Sequence, residues 1–175
     1  MSALLLTGPP GSGKTTALLR AAEALRADWR LGGFYTEEIR ATGVRQGFRA
    51  VTFDGQVCDL ARVGWQRLPR VGRYGVDVRV MDALAETLGP DAPADAWLVD
   101  EIGKMECLSD RFVAALTALL DSGAPVVATI AQRGGGFIAE VKRRPDAELR
   151  TLRRATRDAA PAEIVAWLRS RRGPR

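Results

Sequence analysis

Histidine is missing from this 175-residue chain. With it go Ser-His-Asp and Cys-His catalysis and every histidine-ligated metal site. A general base must be a carboxylate or, failing that, a lysine or tyrosine. Cysteine is scarce. Cys58 and Cys107 stand alone and show no Cys-x-x-Cys spacing, which argues against a disulfide framework and a cysteine zinc site. Lysine is scarcer than arginine by far: of 26 basic residues, only Lys14, Lys104 and Lys142 are lysines. Arginine bias of this kind reads as a compositional habit, so the three lysines are the more informative positions. No apolar run approaches the roughly 18 residues a membrane span requires. The opening Met1 to Gly8 has no basic stretch and turns rich in Gly and Pro, so it does not read as a secretory signal. The expectation is a soluble, cytoplasmic protein.

What is present suits one domain over residues 1–175. Hydrophobic residues make up 46% of the chain, too many for disorder. A chain of this length buries about 70% of its unfolded surface, enough for a core without staples. Charge is uneven. From Arg133 onward there are 12 basic and five acidic residues, against 14 and 16 before it. A basic tail can touch nucleic acid or phosphate, but a solvated surface is the simpler reading.

Ala3 to Thr7 is a short apolar run ending in Gly8-Pro9-Pro10-Gly11, as in a buried parallel strand. From Thr15, Ala17, Leu18, Ala21, Ala22 and Leu25 recur at helical spacing. Residues 33–60 read as strands, with Asp54-Gly55 as a hairpin signal, and predict an antiparallel insertion. Gly64 to Gly75 reads as irregular, residues 78–88 as weakly helical, and Pro90 to Asp95 as a loop. Ala96 to Glu101 predicts a second buried strand. Ser109 predicts an N-cap for a helix carrying Phe112, Val113, Leu116, Leu119 and Leu120 on one stripe, with Gly123 past its end. Ala124 to Ile130 predicts a third strand. Gly134 to Gly136 reads as a break before a short helix from Phe137 to Lys142. Leu149 to Ala155 predicts a last strand, and Pro161 opens a final helix. Alternation of this kind predicts an α/β fold, a mostly parallel sheet with helices on both faces.

Gly8-Pro9-Pro10-Gly11-Ser12-Gly13-Lys14-Thr15 has the pattern G-x-x-x-x-G-K-[ST], placed after a strand and opening a helix. Its glycines let successive backbone N–H groups turn inward around phosphate. The helix N-terminus adds positive potential at the same point. Lys14 suits the β- and γ-phosphates, and the Thr15 hydroxyl suits Mg²⁺. Asp100, at the end of a buried strand, is placed to hold the same ion, and Glu101 to take a proton from water. Lys104, in a glycine-containing turn, is a candidate to stabilise charge on the transferred phosphoryl group. Arg40 is a weaker candidate for the γ-phosphate, since a strand-edge ion pair is the simpler reading. Trp29, Trp65 and Trp167 read as core or partly buried surface. Trp65 is a weak candidate for base stacking.

Gly8 to Thr16, Gly33 to Arg40 and Asp100-Glu-Ile-Gly-Lys-Met-Glu106 together resemble the THEP-type nucleoside-triphosphatases. Arg70 to Tyr74, Ala128-Thr129 and Thr156-Arg157-Asp158 agree. The resemblance spans nearly the whole chain. It implies a P-loop, three-layer fold of the additional-strand kind, and Mg²⁺-dependent hydrolysis of ATP, GTP, CTP and UTP to diphosphate and phosphate with little choice of base. It puts the phosphate cradle on Gly8 to Thr16, and a second nucleotide-facing segment on Leu98, Val99, Asp100, Glu101, Ile102, Gly103 and Lys104. The family often has Asn-Arg-Asp near its end. Here the asparagine is lacking, which leaves Arg157 to stack on a base.

Two other readings share these residues. A nucleotide or nucleoside kinase has the same glycine loop, but Asp-Glu at the strand end favours activating water over a second substrate. An NTP-dependent nucleic-acid-binding regulator fits the basic tail, but its basic residues are not interleaved with exposed aromatics. Nucleic acid is expected to bind weakly and non-specifically at most, and the chain to be a monomer.

Overall fold

The computed structural model describes residues 1–66, 69–89 and 93–172. The chain starts with β1 (Ala3–Thr7), all five residues buried, followed by α1 (Lys14–Leu25). Then come β2 (Leu31–Ala41), β3 (Val44–Thr52), β4 (Val57–Val63), β5 (Arg70–Val71) and β6 (Tyr74–Val76). α2 (Val78–Glu86), β7 (Ala96–Ile102), a 3-10 turn (Glu106–Leu108) and α3 (Asp110–Asp121) follow. The chain closes with β8 (Val126–Ile130), α4 (Phe137–Lys142), β9 (Ala147–Thr151) and α5 (Ala160–Arg169). Ser109 caps α3 as expected, its Oγ accepting from the Phe112 amide at 2.9 Å.

Among the described residues one sheet runs in the order β5-β6-β4-β3-β2-β7-β8-β1-β9. The strands from β2 to β9 in that order are parallel, and those from β2 outward to β5 are antiparallel. The sheet is therefore mixed, and the expectation of a mostly parallel one is corrected. The cause lies in β2. Its first residues, Leu31 to Phe34, pair in parallel with Ala96 to Val99, and the rest of the strand pairs antiparallel with β3. The hairpin region is thus no insertion on the core but an outward continuation of it. The segment read as irregular also holds a strand pair, with Val71 opposite Tyr74 around Gly72. Strands of two and three residues carry no readable period. The loop expected from Pro90 to Asp95 lies partly outside the described residues, as does the middle of Gly64 to Gly75.

Alternation along β1 divides the core. Leu4 and Leu6 pack with α1, α5, Trp29 and Trp167 on one face. Ala3 and Leu5 pack with Met81, Phe112 and Leu116 from α2 and α3 on the other. Both faces of the central strands β1, β7 and β8 are covered, which is why these run apolar until their carboxyl ends, whereas β9 at the sheet edge carries Glu148 and Arg150. β8 lies between β1 and β7, the additional strand the family resemblance implied. The carboxyl ends of these three strands share one edge, where open α/β sheets form their crevices.

Candidate active site

That edge opens into a cleft of about 1000 Å³, lined at one end by the glycine loop and at the other by the outer strands. The loop leaves β1 at Gly8, whose φ of 151° and contact with the residue after β9 admit no side chain: a Cβ would stand 2.4 Å from the Leu152 carbonyl oxygen. Lys14 opens α1 and turns back, donating from Nζ to the carbonyl oxygens of Gly8 at 3.0 Å and Pro9 at 3.3 Å. Its ammonium is thereby held over the loop that the phosphates would fill.

Asp100 is 1% exposed and gathers four donors. Its Oδ1 accepts from the Thr15 hydroxyl at 3.0 Å and the Thr129 hydroxyl at 2.6 Å. Its Oδ2 accepts from the Thr36 hydroxyl at 3.1 Å and the Thr36 amide at 3.3 Å. Four elements, α1, β2, β7 and β8, thus meet on one carboxylate. Thr36 and Thr129 fall within segments that carry the family resemblance, yet nothing in their spacing marks them as partners of Asp100.

Successive residues of a regular strand face opposite sides, so Asp100 and Glu101 would not both reach the cleft. The pairing of β7 with β8 slips between Asp100 and Ile102. Such a bulge re-aims a side chain, and both carboxylates line the cleft. Burial pushes the Glu101 carboxyl above its ordinary value, the charge of Asp100 adds to this, and Lys14 opposes it. A poised, partly desolvated carboxylate is what a general base near neutral pH requires.

Glu106 closes the acidic segment, and its spacing alone assigns it no role. It is 5% exposed and lines the cleft. A Cβ on Gly103 would stand 2.9 Å from Glu106 Oε2 and 3.1 Å from Glu101 Oε1, so the two carboxyls flank one spot. Burial first, and Glu101 second, push Glu106 up to about 8. Burial thus favours its protonated form.

The other expected residues divide. Gly8, Pro10, Gly11, Gly13, Lys14, Thr15, Thr16, Asp100, Glu101, Lys104 and Arg157 line the cleft. Pro9, Ser12, Gly103, Leu98, Val99 and Ile102 do not; of these Leu98, Val99 and Ile102 are fully buried and serve the core rather than a nucleotide-facing surface. The side chain of Arg157 lies against the loop, its Cβ and Cδ 3.5 Å from where a Gly13 Cβ would stand. Arg40 does not line the cleft; it bonds Glu38 through Nε at 2.9 Å and the Gly43 carbonyl at 2.8 Å. Trp65 is outside the cleft lining as well. Much of the basic tail is engaged within the fold. Arg144 pairs with Asp121 and Asp146, Arg150 with Glu148 and Glu163, and Arg171 and Arg172 stack on Trp167 and Trp29.

A strand, glycine loop and helix, with an aspartate from β7, across β8, bonded to the loop's threonine, have the arrangement of a P-loop. The family model described as NTPase matches residues 3–165. The chain belongs to the THEP1-type nucleoside-triphosphatases. It is 37% identical over 172 residues to the nucleoside-triphosphatase THEP1 of Thermotoga sp. (strain RQ2), covering 97% of each chain. It is 37% identical over 185 residues to the cancer-related nucleoside-triphosphatase homolog of Mus musculus, again covering 97% of each. The crystal structure of THEP1 from Aquifex aeolicus matches with a TM-score of 0.83 at 33% identity, covering 95% of this chain and 98% of that one. The solution structure of a human cancer-related nucleoside triphosphatase matches with a TM-score of 0.84 at 33% identity, covering 99% and 100%. Membership of this family implies a divalent metal cation. Among the described residues no helix is long and apolar enough to cross a membrane.

Proposed function

We propose that this nucleoside-triphosphatase hydrolyses ATP, GTP, CTP and UTP to diphosphate and phosphate in the cleft, with Mg²⁺ and little choice of base. The observation that carries the reading is Asp100, buried under the loop and bonded to Thr15, with Glu101 brought beside it by the bulge.

The donor set fits Mg²⁺. Thr15 and Asp100 offer one hydroxyl and one carboxylate oxygen. Among the described residues no group of three or more His, Cys, Asp or Glu forms a dedicated metal cage. Mg²⁺ is ordinarily held this way, by one or two protein oxygens, the substrate phosphates and water. When bound there it neutralises charge on the β- and γ-oxygens.

The chain's own residues account for the rest. Backbone N–H groups from Gly11 to Thr16 cradle the phosphates, Pro9 and Pro10 having none to give, and Lys14 supplies a charge-assisted contact. Glu101 takes a proton from water as the new oxygen–phosphorus bond forms and the bond to the leaving diphosphate breaks. Lys104 adds positive charge at the rim. Arg157 gives the base a planar face that suits any base alike. No cluster of buried polar groups among the described residues stands ready to read a base edge, and strong discrimination needs such groups. The basic tail, with Arg144, Arg150, Arg171 and Arg172 engaged within the fold, suits a monomer with at most weak, non-specific nucleic-acid binding.

Steady-state phosphate release from each of the four triphosphates with Mg²⁺ tests the reading, with and without a monophosphate acceptor and with and without RNA. The four kcat/KM values are expected within about tenfold, roughly 1.4 kcal/mol. A preference above about a thousandfold for one base, or phosphate appearing on the acceptor, would overturn it.

A further inference from the structure

Arg133 stands at the cleft just beyond β8. Three observations set it apart from the other arginines. First, among the described residues it has no carboxylate, carbonyl or aromatic partner. By contrast Arg45, also on the cleft, is paired with Glu38 and stacked on Phe48 at 5.4 Å. Second, its backbone is held on both sides. Lys142 Nζ donates to the Gln132 carbonyl at 3.0 Å, and Gly134 packs so closely on α4 that a Cβ would stand 2.6 Å from Ile138 Cδ1. Third, β8 itself is tied to the centre of the site. Thr129 bonds Asp100 at 2.6 Å, and the Ala131 amide donates to the Ile102 carbonyl at 3.0 Å. A free guanidinium is thus carried on a fixed stretch of backbone at the edge of the phosphate cleft.

We propose that Arg133 contacts the transferred phosphoryl group and stabilises the charge that develops on it in the transition state. This rests on the reading of the cleft as a triphosphate site. Arginine suits this role because its planar fork meets two phosphoryl oxygens at once and stays charged throughout. In other phosphoryl-transfer proteins a partner chain often brings this residue; here it comes from the chain itself. Arg133 neither gives nor takes a proton, since the water's proton goes to Glu101. Because its backbone is held in advance, only the arginine side chain has to settle at the moment of transfer. Lys142, far along the chain from the glycine loop, then serves the same site by holding residue 132 in place.

The test separates this role from binding. Arg133→Ala is expected to bind a non-hydrolysable triphosphate within about threefold of the parent while kcat falls by about a hundredfold or more. Affinity for the diphosphate with aluminium fluoride, which imitates the transferring group, is expected to fall with kcat. Added guanidinium is expected to restore part of the rate. Arg133→Lys keeps the charge but loses the fork, and is expected to lie between. Unchanged kcat, or a loss of triphosphate and fluoride-complex affinity by the same factor, would overturn the proposal. Lys14→Ala, run alongside, tests the cleft itself: undiminished triphosphate binding there would strike the site reading and the Arg133 assignment with it, whereas weakened binding there with unchanged kcat in Arg133→Ala would strike the Arg133 assignment alone.

Discussion

Thr15 and Asp100, 85 positions apart, meet through a 3.0 Å hydrogen bond from hydroxyl to carboxylate. This bond joins the first turn of α1 to the end of β7 and so registers the phosphate loop against the acidic strand. The two oxygens that would share a cation are already side by side.

Thr15→Ala removes one of those oxygens and one donor to a buried carboxylate. Stability is expected to fall by about 1 kcal/mol, since Thr36 and Thr129 still satisfy Asp100. The Mg²⁺ concentration for half-maximal phosphate release is expected to rise about tenfold or more, as about 1.4 kcal/mol of metal contact is lost. A metal titration followed by phosphate release checks this, and an unmoved midpoint would remove Thr15 from the metal site.

Glu101→Gln keeps shape and hydrogen bonding but cannot accept the proton. Triphosphate is expected to bind as in the parent while hydrolysis drops by roughly 10²–10⁴. Lys14→Ala is expected to differ, losing about 1.5–3 kcal/mol of binding along with turnover. Equilibrium binding and single-turnover hydrolysis, measured on both variants, distinguish the two roles. Parental hydrolysis by Glu101→Gln would move the base elsewhere.

Glu106 links stability to pH. Its carboxyl ionises near 4.5 when unfolded and is pushed up to about 8 by burial in the folded chain. Between those values the unfolded chain has released this proton and the folded chain still holds it. Ionisation therefore favours the unfolded state, and the contribution of Glu106 to stability declines as pH rises from about 4.5 to about 8, then levels off. Glu106→Gln stays neutral at every pH. It is expected to match the parent near pH 5 and to exceed it by a few kcal/mol above pH 8. Urea unfolding at several pH values reads the difference, and a gap that does not change with pH would refute the coupling.

The basic tail predicts little for nucleic acid. Arg144, Arg150, Arg171 and Arg172 are each engaged by carboxylates, carbonyls or indole rings within the fold. Binding to RNA or DNA is expected to be weak at low salt and to vanish as salt rises. Filter binding across a salt series decides it. Salt-resistant, micromolar binding that also raises hydrolysis would show a partner surface among the remaining arginines.

The phosphate loop was legible because its requirements are local. A strand, a run of glycines and a helix N-terminus within Ala3 to Leu25 make the anion site from neighbouring backbone alone. Asp100 was legible for a similar reason, as an acid closing an unbroken apolar strand. The apolar stripes of α1 and α3 and the capping by Ser109 also follow from spacing within single elements. The mixed sheet was not legible. The two directions of pairing along β2 depend on which strands lie beside it, and a strand's own residues do not name its neighbours. Likewise Leu98, Val99 and Ile102 share a segment with Asp100 and Glu101, and only packing assigns them to the core. Thr36, Thr129, Glu106 and Arg133 were not legible either, because a hydroxyl, an acid or an arginine gains its role from what stands across from it. Those oppositions come from the order of β2, β7, β8 and β1 and from the slip at Glu101. Local chemistry therefore determined the form of the glycine loop, and the stacking of distant strands decided which side chains surround it.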